Sequence, residues 1–320
     1  MIVKKRTMPL HIRANRALLR RLDPNHMKKP IIEEDLAKRK AGYDGERSID
    51  YYLSKMPTSQ FYIFQDLRLE ANSFYFQMDI LLLSKSFALI IEIKNISGTL
   101  YFDTLSKQFI RRTMEKEEGF RDPLIQLQEQ KEQFSNWMQE RGCNLPVEGI
   151  IAISNPSTII TASKGSEFIF DFVLHFDHLK NKINELEKKH TTTAISASQF
   201  FDLNQSLLHS HIPLFPKTPS FFGIPKADIR KGVYCKQCEQ FTMGKIYRGW
   251  QCSICKLKDQ EAYKQAIEDY LLLIEPVITN KMCRDFLGIE KPMTASRLLM
   301  NSNLAFEGEH KSRVYYLKDF

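Results

Sequence analysis

The chain has 320 residues, of which 43% are hydrophobic and 26% charged, and it carries a net charge of +8. That balance suits a globular protein of two or three domains and excludes a low-complexity or fibrous chain. No apolar run approaches the roughly 18 residues of a membrane-spanning helix, and the N-terminus lacks the apolar stretch of a signal peptide. A cytoplasmic protein with reduced thiols and no membrane partner is the expectation.

The charge is unevenly spread. Residues 1–40 hold twelve Lys or Arg against four acids, while the remainder is close to neutral. Residues 1–29 therefore read as a basic arm with one short helix over 12–22. Such an arm either attracts phosphate through counterion release or stays solvated and partly disordered. From Pro30, Ile31, Ile32, Leu36, Ile49, Tyr52 and Leu53 recur at helical spacing, which predicts a helix over 30–55 that stops before Pro57. Strands follow at 61–69, 74–83 and 87–94, the last two joined by Ser84-Lys85-Ser86. A further hairpin is expected over 100–112.

Asp122-Pro123 is a strong helix opening, because the Asp can cap and the Pro suits the first turn. The helix runs over 124–140. A buried strand at 147–154, a second at 168–174, and helices at 177–189 and 196–209 complete an α/β unit around a mixed sheet. Pro213, Pro216, Pro219 and Pro225 mark a linker over 211–233.

Three charges interrupt the apolar strands: Asp79 in Gln77-Met78-Asp79-Ile80, and Glu92 and Lys94 in Ile91-Glu92-Ile93-Lys94-Asn95. Burying a lone charge is costly unless it is paired or holds a metal. Glu92 and Lys94, at i and i+2, share one face of a strand. Two nearby carboxylates suit Mg²⁺ or Mn²⁺, with the ammonium turned to a scissile phosphate or an attacking water. Glu46 adds an acid from the preceding helix. Gln126 and Gln130, one turn apart, can steady the lysine or the water. This is the donor set of metal-assisted phosphodiester hydrolysis; the bland alternative is an exposed strand edge.

Taken in order, Gly45-Glu46, Gln77-Met78-Asp79, Ile91-Glu92-Ile93-Lys94-Asn95-Ile96-Ser97-Gly98, Asp122-Pro123-Leu124-Ile125-Gln126 and Glu148-Gly149-Ile150-Ile151-Ala152-Ile153 resemble the nuclease-related (NERD) domain of the PD-(D/E)XK superfamily. The resemblance covers about residues 38–155, with Asp122 where Asn is common. It implies a restriction-endonuclease-like core over 30–210. Asp79 and Glu92 would then be metal ligands, Lys94 the catalytic lysine, Glu46 an auxiliary acid and Gln126 a supporting residue.

Cys235-x-x-Cys238 and Cys252-x-x-Cys255, thirteen residues apart, ask for a tetrahedral structural Zn²⁺. Residues 234–258 are therefore expected to form a zinc ribbon. Lys236, Lys245, Arg248 and Trp250 make it either a nucleic-acid surface or a plain metal-stabilised spacer. Cys143 and Cys283 read as buried thiols. Over 259–320 a helix, a turn near Gly288 and a second helix from Thr294 precede a strand at 312–317. That pattern is winged-helix-like, with Arg297 on the recognition helix, or a packing unit without DNA contact. The eight histidines show no catalytic spacing.

The expected fold is thus α/β, a mixed sheet flanked by helices, with a zinc ribbon and a winged-helix-like tail. The expected function is cleavage or nicking of DNA, with RNA as a second substrate class and a protein partner or homo-oligomer as further associations. The alternative is an inactive nuclease-like scaffold that binds nucleic acid, as one subunit of a defence or repair complex.

Overall fold

The structure, a computed structural model, describes residues 1–55 and 60–318. Pro57, read as the stop of the long helix, lies outside the described residues. The chain divides into two compact units, Met1–Thr7 with Ala41–Ile212, and Met8–Lys40 with Pro213–Phe320.

The first unit is built on a six-stranded mixed sheet. Its order is Ile2–Lys4, Tyr62–Ala71, Phe74–Leu83, Ala88–Lys94, Val147–Ile153 and Val173–His175. The three middle hairpin neighbours are antiparallel, and the outer pairings are parallel. Leu127, Phe134 and Trp137 of the helix Pro123–Gln139 cover one face. Ile49 and Leu53 of the helix Lys29–Ser54, with Leu179, Ile183 and Leu186 of Leu179–Lys189, cover the other. With both faces buried, the central strands carry near-continuous apolar runs. This is the α/β sheet between helices that the patterning predicts.

Some elements differ from expectation. A second sheet, in the order Glu117–Phe120, Gln108–Arg112, Thr99–Asp103 and Ile159–Ala162, adds two strands to the expected hairpin. The added strands are four residues each, too short for a period-2 pattern to show. The strand expected at 168–174 is a 3₁₀ turn, Glu167–Asp171, followed by the three-residue strand Val173–His175. Only Ile169 of that turn is buried, while Phe168 and Phe170 point to solvent.

In the second unit, Leu10–Arg21 is an amphipathic helix whose Leu10, Ala14, Ala17 and Leu18 join the core with Ile267, Tyr270 and Leu271 of Ala262–Leu273. The residues expected as a free basic arm are therefore folded. Arg21 is fully buried, its Nε 2.7 Å from Asp269 Oδ2, and it donates to the carbonyls of Arg230 and Gly232. The expected linker is also partly core, because Phe222, Ile224, Ile229 and Val233 are buried there. Four short strands, Val233–Cys235, Gln240–Ile246, Gly249–Cys252 and Lys258–Asp259, form an antiparallel sheet around the cysteines. After it come Asn280–Leu287, a left-handed Gly288 at φ 68°, and Pro292–Met300. The strands Ile278–Thr279, Val314–Tyr316 and Ala305–Glu307 form a small sheet, which adds two short strands to the helix, turn, helix and strand expected for this segment.

The fold also redistributes charge. The second unit holds 26 Lys or Arg against 16 Asp or Glu, a net +10, and the first holds 20 against 22. Among the described residues no helix is long and apolar enough to cross a membrane.

Candidate functional sites: an acidic sheet end and a four-cysteine cluster

The first site begins with a break in strand alternation. Phe76 and Met78, then Leu81 and Leu83, face one core, while Ile80 and Leu82 face the other. The neighbouring strand slips at the same level, since Phe64 and then Leu67 share a core that Ile63 does not. Asp66 and Asp79 are the two residues absent from an otherwise continuous pairing that runs from Gln65–Ile80 to Leu67–Met78. Asp66 sits there at φ 54°, a conformation that costs a non-glycine residue on the order of 1 kcal/mol. The slip frees the Asp79 side chain from the ladder. Its Oδ2 accepts the Ile93 N–H at 2.8 Å; Asp79 lies one position and Ile93 two positions beyond the last paired residues, Ile80 and Ile91.

Glu92 is 4% exposed. Its Oε1 accepts from Lys94 Nζ at 2.7 Å and from Gln126 Nε2 at 2.7 Å, and its Oε2 accepts from Gln130 Nε2 at 2.8 Å. Lys94 Nζ also donates to Gln126 Oε1 at 2.9 Å, which closes a three-membered network. Two glycines let the helices approach. A Cβ on Gly149 would lie 2.9 Å from Leu127 Cδ1 and 3.0 Å from Lys131 Cδ, so its absence seats the helix that carries Gln126 and Gln130. A Cβ on Gly45 would lie 2.4 Å from Asn95 Cβ. Asn95 Nδ2 in turn donates to Ala41 O at 2.7 Å, which locks the Glu46 helix beside the strand end.

Arg6 joins the site without a motif to mark it. Ile2–Lys4 adds a parallel edge strand, and this carries the Arg6 side chain, 2% exposed, into the site. Its Nε lies 3.0 Å from Glu46 Oε2, its Nη1 donates to Glu46 O at 3.0 Å, and its Nη2 donates to Asp79 O at 3.1 Å. Asp50 Oδ1 is 3.8 Å from Nη1. The only signal was the apolar pair Ile2-Val3, hidden in a run of lysines.

The electrostatics follow from this packing. Burial, then the charges of Glu92 and Glu46, push the Asp79 carboxyl well above the usual range, against the Ile93 N–H and Lys94. Burial also raises Glu46, with Arg6 opposing and Asp66 and Glu92 adding to it. Acids that repel one another in a partly buried site, with oxygen donors only, suit a hard divalent cation. Glu92 retains lone pairs beyond its hydrogen bonds. Arg6 lies against Glu46 Oε2, and Asp79 and Glu92, with water, would hold such an ion.

Residues 41–154 match the family model of the nuclease-related domain, NERD. This segment is a nuclease-related domain. Glu46, Asp79, Glu92, Lys94 and Gln126 all lie within the matched span, and Arg6 lies outside it. No curated protein matches the chain. Among solved structures, the crystal structure of protein VC1899 from Vibrio cholerae is similar at 11% identity and a TM-score of 0.25. That similarity covers 52% of this chain and 37% of the other. A TM-score that low has no bearing on the fold or function of the nuclease-related domain.

The second site is the cysteine cluster. The sulfurs of Cys235, Cys238, Cys252 and Cys255 all lie within 4.8 Å of one another, the sole group of three or more metal-ligating side chains so gathered among the described residues. The Cys235–Cys255 and Cys238–Cys252 separations are 3.6 and 3.8 Å. Tetrahedral zinc with Zn–S near about 2.3 Å requires about 3.8 Å. Glu239 and Lys256, each following the second cysteine of its pair, are left-handed at φ 55° and 60°. The Ile254 and Cys255 N–H groups point at Cys252 Sγ, each at 3.4 Å. Cys252 is lowered to about 6, burial being outweighed by Thr242 and these N–H groups. Cys238 is pushed up to about 12, first by its hydrogen bond with Cys255. One sulfur is thus held as thiolate, and the cluster is ready to exchange protons for a cation.

The residues expected to touch nucleic acid divide. Trp250 is 1% exposed and packs in the core, which corrects its expected place on a nucleic-acid surface: the indole anchors the cysteine hairpin. Lys236 pairs with Asp259 at 3.3 Å. Lys245, Arg248 and Arg297 share one cleft. Cys143 and Cys283 are buried, as expected.

Proposed function

We propose that this protein is a metal-dependent nuclease that cuts or nicks DNA in the cytoplasm, with the nuclease-related domain as its catalytic part. The observation that carries this reading is the Glu92–Lys94–Gln126 network beside a carboxyl, Asp79, whose ionisation the site opposes. Asp79 and Glu92 would hold Mg²⁺ or Mn²⁺, which when bound supplies a polarised phosphate and an activated water. Glu92 fixes the Lys94 ammonium, and Gln126 holds it from the other side, so the cation is pre-positioned for developing phosphate charge at no cost of reorganisation. Gln130, bonded to Gln77 O at 2.8 Å, ties Glu92 to the strand that carries Asp79. Arg6 positions Glu46. The four cysteines would hold a structural Zn²⁺ that shapes the second unit for binding the substrate.

One observation favours a second reading, a nucleic-acid-binding scaffold without turnover. Both Glu92 oxygens are already engaged by side chains of this chain.

The test offers supercoiled, linear and single-stranded DNA, and RNA, to the purified protein with Mg²⁺ or Mn²⁺. Asp79→Ala and Lys94→Ala are expected to lower cleavage by about 10²–10³-fold each. Cleavage that survives in both variants would sink the assignment, and binding without cutting by wild type would favour the scaffold.

A further inference from the structure

The second unit contains a cleft of about 490 Å³ whose lining includes Lys245, Arg248, Tyr263, Lys264, Arg297 and the edge of Trp250. It lies where the cysteine hairpin meets the helices Ala262–Leu273 and Pro292–Met300. One acid lines it, Glu261, and that acid is paired with Lys264. Among the described residues, Lys245, Arg248 and Arg297 have no carboxylate within 4.0 Å, while cations around them do. Lys245 is fixed by donating to Ile246 O at 2.7 Å and Gly249 O at 3.0 Å, which leaves one N–H to spare. Burial, then the positive charge of Arg297, lowers its affinity for a proton, as expected of cations gathered without a counter-charge. The surrounding unit, at a net +10, adds a long-range field of the same sign.

At the rim, the hairpin turn exposes an aromatic ring. Tyr247 is 84% exposed, and the Arg248 guanidinium lies 5.1 Å from its centroid. An exposed ring beside unpaired cations is the arrangement that stacks an unpaired base while its phosphate is neutralised.

We propose that the cleft formed by Lys245, Arg248 and Arg297 binds the phosphodiester backbone of a single nucleic-acid strand, with Tyr247 stacking on a base. This rests on the reading that the chain acts on nucleic acid, but not on turnover in the nuclease-related domain. It replaces the broader surface expected from sequence, since Lys236 has its own acid and Trp250 is inside.

The test measures fluorescence anisotropy of a labelled oligothymidylate and of a labelled duplex with the full chain across a salt series, without Mg²⁺. Arg248 and Arg297 are exposed, so Arg248→Gln/Arg297→Gln keeps the fold while removing two phosphate contacts. It is expected to weaken the single strand about tenfold and to make the slope of log K against log salt shallower by about 1.4. Lys281→Gln/Lys291→Gln, an equal charge loss elsewhere in the unit, is expected to leave the slope nearly unchanged. Tyr247→Ala is expected to weaken the single strand several-fold and the duplex much less. Equal weakening by both double variants would overturn the site. A duplex bound more tightly than the single strand, with Tyr247→Ala without effect, would overturn the single-strand assignment. Asp79→Asn separates the two proposals: it should bind as wild type does while losing cleavage, whereas wild type that binds the strand but does not cut it with Mg²⁺ or Mn²⁺ counts against the nuclease reading alone.

Discussion

The two units handle buried charge in opposite ways. In the first, acids are gathered at the end of a sheet and left in partial conflict: Asp79, Glu92 and Glu46 repel, and Arg6 and Lys94 offset only part of that charge. In the second, the deepest charge is fully compensated. Asp269, fully buried, is met by Arg20 at 2.6 Å and Arg21 at 2.7 Å, and Gln265 donates to the same carboxylate at 3.2 Å. A charge that serves only the fold can be satisfied. One that awaits a ligand is kept unsatisfied, at some loss of stability.

Three experiments probe this contrast. Stripping the Zn²⁺ proposed for the cysteine cluster, or Cys252→Ser, would remove a binding energy of about 10 kcal/mol or more. Hydrogen exchange should then show loss of protection over Gln240–Ile246 and Gly249–Cys252 while Ala88–Lys94 keeps its protection. Unchanged protection after complete metal removal would mean that the cluster is not a structural centre.

Truncating Asp269 strands two cations in the second unit, and Asp269→Ala should cost about 3–5 kcal/mol in denaturant unfolding. Arg6→Ala should cost less, about 2 kcal/mol, because the acids it leaves behind are partly exposed, Glu46 at 27% and Asp50 at 45%. The reverse order would break the distinction between a satisfied and a waiting charge.

Asp79→Asn should stabilise the metal-free chain by about 0.5–2 kcal/mol at neutral pH. The sign follows from the raised carboxyl. The folded state holds a proton that the unfolded chain releases, so stability from this group is present at low pH and lost as pH rises through the raised value. The variant should flatten that dependence. A loss of stability at neutral pH would show that Asp79 is a structural acid.

Much of the first site was legible because its residues lie on strongly patterned elements. The strand Phe74–Leu83 and the Asp122-capped helix Pro123–Gln139 stand where apolar runs and capping chemistry put them, and these carry Asp79 and Gln126. Arg6 was not legible, since its role depends on a three-residue strand pairing with residues about sixty positions away. Nor was the paired slip at Asp66 and Asp79, which leaves the local apolar pattern intact and changes only which core each residue faces. In the second unit the cysteine spacing was unambiguous. The burial of Trp250 and the capture of Leu10–Arg21 by the core were not, because amphipathic basic helices look alike whether solvated or docked.

The most direct measurement follows binding and cleavage of one labelled DNA strand in the same tube with Mg²⁺, for wild type and for Lys94→Ala. Both proteins should hold the strand equally, and only wild type should cut it. Equal cutting by Lys94→Ala, or no cutting by wild type with Mg²⁺ or Mn²⁺, would contradict this expectation.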